Sequence, residues 1–66
     1  MREINVGDIV GYNFRAYKVT KTYFNAFGYI YWADLISINP IKEGINFYKI
    51  EWSVKCSELY LLKEAL

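Results

Sequence analysis

An alternation in the second half of the chain constrains the fold more than any other feature. From Asn46 to Cys56 one parity reads Tyr48, Ile50, Trp52, Val54, Cys56, and the other reads Phe47, Lys49, Glu51, Ser53, Lys55. A period of two held over that length puts apolar side chains on one face and polar ones on the other, which is the pattern of a half-buried strand. Helical spacing is nowhere sustained beyond two turns. Upstream, Val6-Gly7-Asp8-Ile9-Val10-Gly11-Tyr12 reads as a glycine-flanked lead into a short strand. Arg15 to Phe24 is rich in Tyr, Val and Thr, with Tyr17 and Val19 on one face and Lys18 and Thr20 on the other. Asn25-Ala26-Phe27-Gly28 supplies a turn, because Asn and Gly tolerate positive φ. A third strand follows from about Tyr29 to Ile38. Asn39-Pro40-Ile41-Lys42-Glu43-Gly44 then interrupts the chain, since Pro40 lacks a ladder donor and Gly44 can reverse the backbone. After the alternating strand, Ser57-Glu58-Leu59 reads as a single 3₁₀ turn, Tyr60-Leu61-Leu62 as a closing strand, and Lys63 to Leu66 as a tail of about one helical turn.

Five strands with short connections predict one all-β domain over residues 1–66, a small five-stranded barrel. An open sheet of this size leaves two edges and one face uncovered. The expected core is Val6, Ile9, Val10, Tyr17, Val19, Leu35, Ile38, Tyr48, Ile50, Trp52, Val54 and Leu59. On that expectation Trp52→Ala costs about 3–5 kcal/mol.

The opening Val6-Gly7-Asp8-Ile9-Val10, the second-strand Tyr17-Lys18-Val19 and the ending Val54-Lys55-Cys56-Ser57-Glu58-Leu59 resemble the SH3-like small barrels. Among these the chain is most similar to the short KOW-like and Tudor-like versions found in bacteria and their phages. The resemblance implies a shortened first loop at Gly11 to Ala16, a second loop at Phe24 to Gly28, a distal hairpin at Asn39 to Gly44, and a 3₁₀ turn at Cys56 to Leu59. An acidic first loop and an Ala-Leu-Tyr-Asp-Tyr cluster are missing, so binding of Pro-rich peptides is not implied. The resemblance implies a binding module and names no ligand.

Composition narrows the chemistry. The 66 residues hold no histidine and one cysteine, which argues against disulfide scaffolds, zinc sites and His-dependent catalysis. No cofactor or metal is expected. Walker and dinucleotide glycine patterns are absent, and Cys56 shares the apolar parity of Trp52 and Val54, with no base to activate it. We therefore expect no enzyme. The longest charge-free run, Thr22 to Ala33, spans twelve residues, too few to cross a bilayer. A charge pair sits at Arg2-Glu3 where a leader would carry an apolar run, and the expected location is cytoplasmic.

Two sets of candidate binding residues stand out. Two Trp, seven Tyr and four Phe are more aromatics than so small a core can hide. Phe14, Phe24, Phe27 and Tyr29 fall in or beside two loops expected at one end of the barrel, and clustered exposed aromatics mark protein interfaces. This is the leading expectation, a non-catalytic module docking a protein partner, with self-association as a further possibility. The alternative reading of the same four is that the loops fold back and cap the barrel end. The second set is a basic-aromatic stretch. Residues 9 to 33 carry Arg15, Lys18 and Lys21 with no acid, in a chain whose net charge is only +1. With Tyr12 and Tyr31, those cations make weak, salt-sensitive nucleic-acid binding the alternative, bases stacking on rings while cations meet phosphate. Against it, the same lysines also suit the solvated face of an amphipathic strand. Asp34 stands out among the acids, because Trp32 and Ile36 share its parity.

Overall fold

A computed structural model describes residues 3–42, 44 and 47–65. It contains β1 (Ile9–Tyr12), β2 (Arg15–Phe24), β3 (Ile30–Ser37), β4 (Ile50–Lys55), a 3₁₀ turn (Cys56–Glu58) and β5 (Tyr60–Lys63). The strands form one antiparallel sheet in the order β4-β3-β2-β1-β5. The chain is all-β, and no helix other than the 3₁₀ turn occurs among the described residues. Among the described residues β4 and β5 are the two edges, and the sheet does not close into a barrel. The 3₁₀ turn begins one residue earlier than the sequence suggests. Lys63 belongs to β5, and Glu64 and Ala65 are irregular rather than helical. Asn46, Glu43 and Leu66 lie outside the described residues.

Tight connections and side-chain anchors set the ladder. Asn13 and Phe14 join β1 to β2 with φ of 49° and 63°, both positive as in a type I′ hairpin turn. Asn25 to Gly28 joins β2 to β3. There the Gly28 N–H donates to the Asn25 carbonyl at 3.1 Å, and Gly28 takes φ of 84°. Before β1, the Asp8 N–H closes a turn onto the Asn5 carbonyl at 3.1 Å. The Asp8 carboxylate, fully buried, accepts the N–H of Asn5 and the N–H of Ala65, each at 2.8 Å. One carboxylate thus fastens the opening turn to the C-terminal segment and satisfies two backbone donors. Gly11 lies beneath the ring of Tyr60, its ladder partner on β5; a methyl there would sit 2.3 Å from the ring's Cζ.

One face of the sheet carries the core: Ile4, Val10, Tyr17, Val19, Ala33, Leu35 and Val54, with Tyr12, Cys56 and Leu59 packed against it. Five residues expected in the core are instead exposed: Val6, Ile38, Tyr48, Ile50 and Trp52, the last at 71%. For β4 the cause is a bulge. Leu35 faces Glu51 and Ala33 faces Val54, so Trp52 and Ser53 together oppose the single residue Asp34. One extra residue flips every side chain before it to the other face. Val54 therefore points into the core, while Glu51 takes the inward parity and Tyr48, Ile50 and Trp52 turn outward. Val6 lies in the turn before β1, and Ile38 lies just past the end of β3. The large cost expected for Trp52→Ala does not follow from this structure.

Asp34 explains why the bulge is held. Its carboxylate, only 3% exposed, accepts the Ser53 N–H at 2.8 Å and the Tyr23 hydroxyl at 2.6 Å. Ser53 sits at φ of 51°, a strained region for a residue with a β-carbon. On the other side of β3, Thr20 is an extra residue in β2, between the pairs Val19–Leu35 and Lys21–Asp34. The Thr20 hydroxyl donates to the Asp34 carbonyl at 3.2 Å. Both neighbouring strands therefore bulge at the level of Asp34 and are bonded to it.

Candidate binding surface

Antiparallel hairpins place successive turns at opposite ends of a sheet, and this separates the four aromatics expected to act together. Phe14 lies at one end of β2, and Phe24, Phe27 and Tyr29 lie at the other. Ten residues of strand at about 3.3 Å each put up to roughly 30 Å between them. The expectation of a single four-residue cluster is thus corrected. All four are nonetheless strongly exposed, and Phe14 is completely so. Phe14 also holds a backbone conformation that type I′ turns usually assign to glycine. At the other tip, Asn25 Oδ1 accepts the N–H groups of Phe27 at 2.9 Å and Tyr29 at 3.0 Å, so the loop presenting these rings is internally braced.

The end carrying Tyr29 also holds a groove of about 640 Å³. Its walls include Ile4, Tyr29, Tyr31, Cys56, Leu59 and Leu61, with Glu3 and Ser57 among its polar groups. Two irregularities shape it. Tyr31 is an extra residue in β3, between the pairs Tyr23–Trp32 and Phe24–Ile30, and its ring meets Trp32 edge-on at 4.5 Å. Leu62 is likewise extra in β5, and Leu61 shares the core face through its pair with Val10. Ile4 belongs to the core and Cys56 and Leu59 pack against it, so the groove is continuous with the core. Burial pushes the Cys56 thiol pKa up, so the group in the groove wall is a neutral thiol at physiological pH rather than a thiolate nucleophile.

The basic-aromatic set is dispersed. Tyr12 and Arg15 face each other across the first hairpin, and Tyr12 packs on Tyr17 with ring centroids 6.1 Å apart. Lys18 and Lys21 lie on the outer face, brought to the same side by the Thr20 bulge, with Lys21 Nζ 5.1 Å from the centre of the Tyr23 ring. Tyr31 belongs to the groove. The five residues thus do not share one face. The carboxylates of Asp8 and Asp34 each accept backbone donors at separate places in the sheet. Among the described residues no three His, Cys, Asp or Glu side chains gather as a metal site would require, and no helix is long and apolar enough to cross a membrane.

The sequence reading missed two things: the outward stripe of Tyr48, Ile50 and Trp52, and the groove around Leu61. Its one clue to the stripe was Asp34, a carboxylate in an apolar register. No protein-family model, curated protein or solved structure matches the chain.

Proposed function

We propose that the chain is a non-catalytic binding module that takes an apolar segment of a protein partner into the groove beside Tyr29. The observation carrying this reading is the groove itself, walled by Ile4, Cys56, Leu59 and Leu61, with the exposed ring of Tyr29 lining it from the β2–β3 connection. Concave apolar surface with a few polar groups is what recognition sites use. At 43 × 21 × 19 Å the molecule is too thin to bury its aromatics, and exposed rings near a groove serve as anchors. Phe24, Phe27 and Tyr29 act as the contact residues at this end, and Phe14 marks a second contact point at the opposite end.

The fold behind this reading is an SH3-like small barrel opened along one side. Its support is the strand order together with the 3₁₀ turn between β4 and β5. The resemblance to short bacterial and phage barrels supports a small accessory protein acting in the cytoplasm. The test is selection from a displayed peptide library, followed by amide-shift mapping of the enriched peptides. Enriched peptides should carry apolar anchors and shift Tyr29, Tyr31 and Leu61, and Leu61→Asp should abolish the effect. Shifts confined to Lys18 and Lys21 with oligonucleotides, collapsing between about 50 and 200 mM salt, would replace this reading with nucleic-acid binding.

A further inference from the structure

We propose that residues 48–52, the lead into β4 and its first half, pair with the same segment of a second copy, antiparallel about Ile50, joining two sheets into one. Among the described residues β4 is an edge of the sheet, and one side of its backbone has no partner strand. The Lys49 N–H donates to Ser37 Oγ at 2.9 Å, and its carbonyl accepts the Ser37 N–H at 2.8 Å, so Lys49 spends both groups on β3. Backbone direction alternates along a strand, which aims the N–H and C=O of Tyr48 and Ile50 away from the sheet.

The segment Tyr48-Lys49-Ile50-Glu51-Trp52 is complementary to itself in that register. With Ile50 opposite Ile50, Tyr48 of each copy meets Trp52 of the other, and Lys49 of each meets Glu51 of the other. The Ile50 pair exchanges backbone hydrogen bonds. The Lys49–Glu51 pairs then fall at the non-hydrogen-bonded positions, where side chains across an antiparallel ladder come closest. The bulge at Trp52 and Ser53 ends the pairing stretch where the complementarity ends. Within one chain Lys49 Nζ already meets Glu51 Oε1 at 3.7 Å, so both charges are held on the same face.

Exposed apolar area supplies part of what a second copy needs. Tyr48, Ile50, Trp52 and the neighbouring Ile38 are 43%, 47%, 71% and 41% exposed, together offering roughly 400 Å² of side-chain surface per copy. A specific interface needs about 600–1,000 Å² per partner, and the edge backbone contributes to the difference. A net charge of +1 opposes association only slightly. β5, the other edge, is four residues long, ends in Lys63 and is broken by the Leu62 bulge, features that blunt an edge.

The experiment is sedimentation equilibrium from about 1 μM to about 1 mM, with Lys49→Glu, Glu51→Lys and the double exchange. The mass should rise from 7.8 kDa toward twice that value with concentration. Each single reversal should weaken dimerisation about tenfold by placing like charges opposite each other, and the double exchange should restore it. Wild-type amide exchange gives a readout independent of the variants: the Ile50 N–H gains protection as concentration rises, and the Lys49 N–H does not change. A mass of 7.8 kDa at every concentration overturns the proposal. So does a dimer that the double exchange fails to restore, or an Ile50 amide whose exchange ignores concentration.

Discussion

Replacing Asp34 by alanine removes the acceptor that holds the β4 bulge in place. Its carboxylate takes the Ser53 N–H at 2.8 Å from a position only 3% exposed to solvent. A hydrogen bond to a charged acceptor contributes about 1.5–3 kcal/mol. Ser53 lies on an exposed edge strand, where water replaces part of what is lost, so the expected cost is near the lower end, about 2 kcal/mol. The Tyr23 hydroxyl loses its acceptor as well, which acts in the same direction. A domain this small has only a few kcal/mol to lose, and about 2 kcal/mol lowers its melting temperature by roughly 8–16 °C. Asp34→Asn keeps one acceptor oxygen and should lose about half as much. The assay is urea unfolding followed by circular dichroism at low micromolar concentration, so that association does not add to apparent stability. A loss below about 0.5 kcal/mol for Asp34→Ala would refute the claim that this carboxylate pins the bulge.

Phe14→Gly should make the chain more stable by about 0.5–1 kcal/mol, because glycine relieves the positive φ and exposed Phe14 has no packing to lose; a lower melting temperature would show that Phe14 contributes to the fold. Trp52→Ala should cost less than about 1 kcal/mol in the dilute monomer, where a core tryptophan would cost about 3–5 kcal/mol; urea midpoints separate the two. Stability should also fall in alkali. Tyr23 has its pKa raised chiefly by donating its hydroxyl to Asp34, and Tyr17 and Cys56 have theirs raised chiefly by burial. A raised pKa means the folded state holds the proton more tightly, so the contribution is complete below the ordinary value and is lost as pH climbs through the folded one. Unfolding midpoints should be insensitive to these groups near neutral pH and decline above about pH 9–10, less steeply in Tyr23→Phe.

The strands, the 3₁₀ turn and the exposure of the loop phenylalanines were legible in the sequence because each depends on local chemistry. Alternation identifies a strand, Asn and Gly mark a turn, and a short hairpin tip has nothing with which to cover a large ring. The bulges were not legible. A period of two says which side chains share a face, not which face is buried, and one inserted residue reverses the answer. Tyr48, Ile50 and Trp52 therefore changed sides while Val54 remained in the core. Asp34 marked the place, yet a lone carboxylate in a strand does not say which neighbouring backbone turns toward it. The ends were misjudged for a different reason. Phe14 and Phe27 sit on successive hairpin turns, which antiparallel connection sends to opposite ends, and loop composition carries no trace of that. The groove depends on Ile4, Tyr29 and Leu61 converging from distant parts of the chain, a tertiary fact with no local signature.

The bulge at Asp34 gives β4 an outward apolar stripe of Ile50 and Trp52, continued by Tyr48 before it. Nuclear Overhauser contacts from the Trp52 indole, recorded at a concentration where the chain is monomeric, test it most directly. The structure predicts contacts from the Val54 methyls to Ala33, and none from the Trp52 indole to Tyr17, Val19 or Leu35. Indole contacts to those three core residues would mean that β4 runs without its bulge and that the outward stripe does not exist.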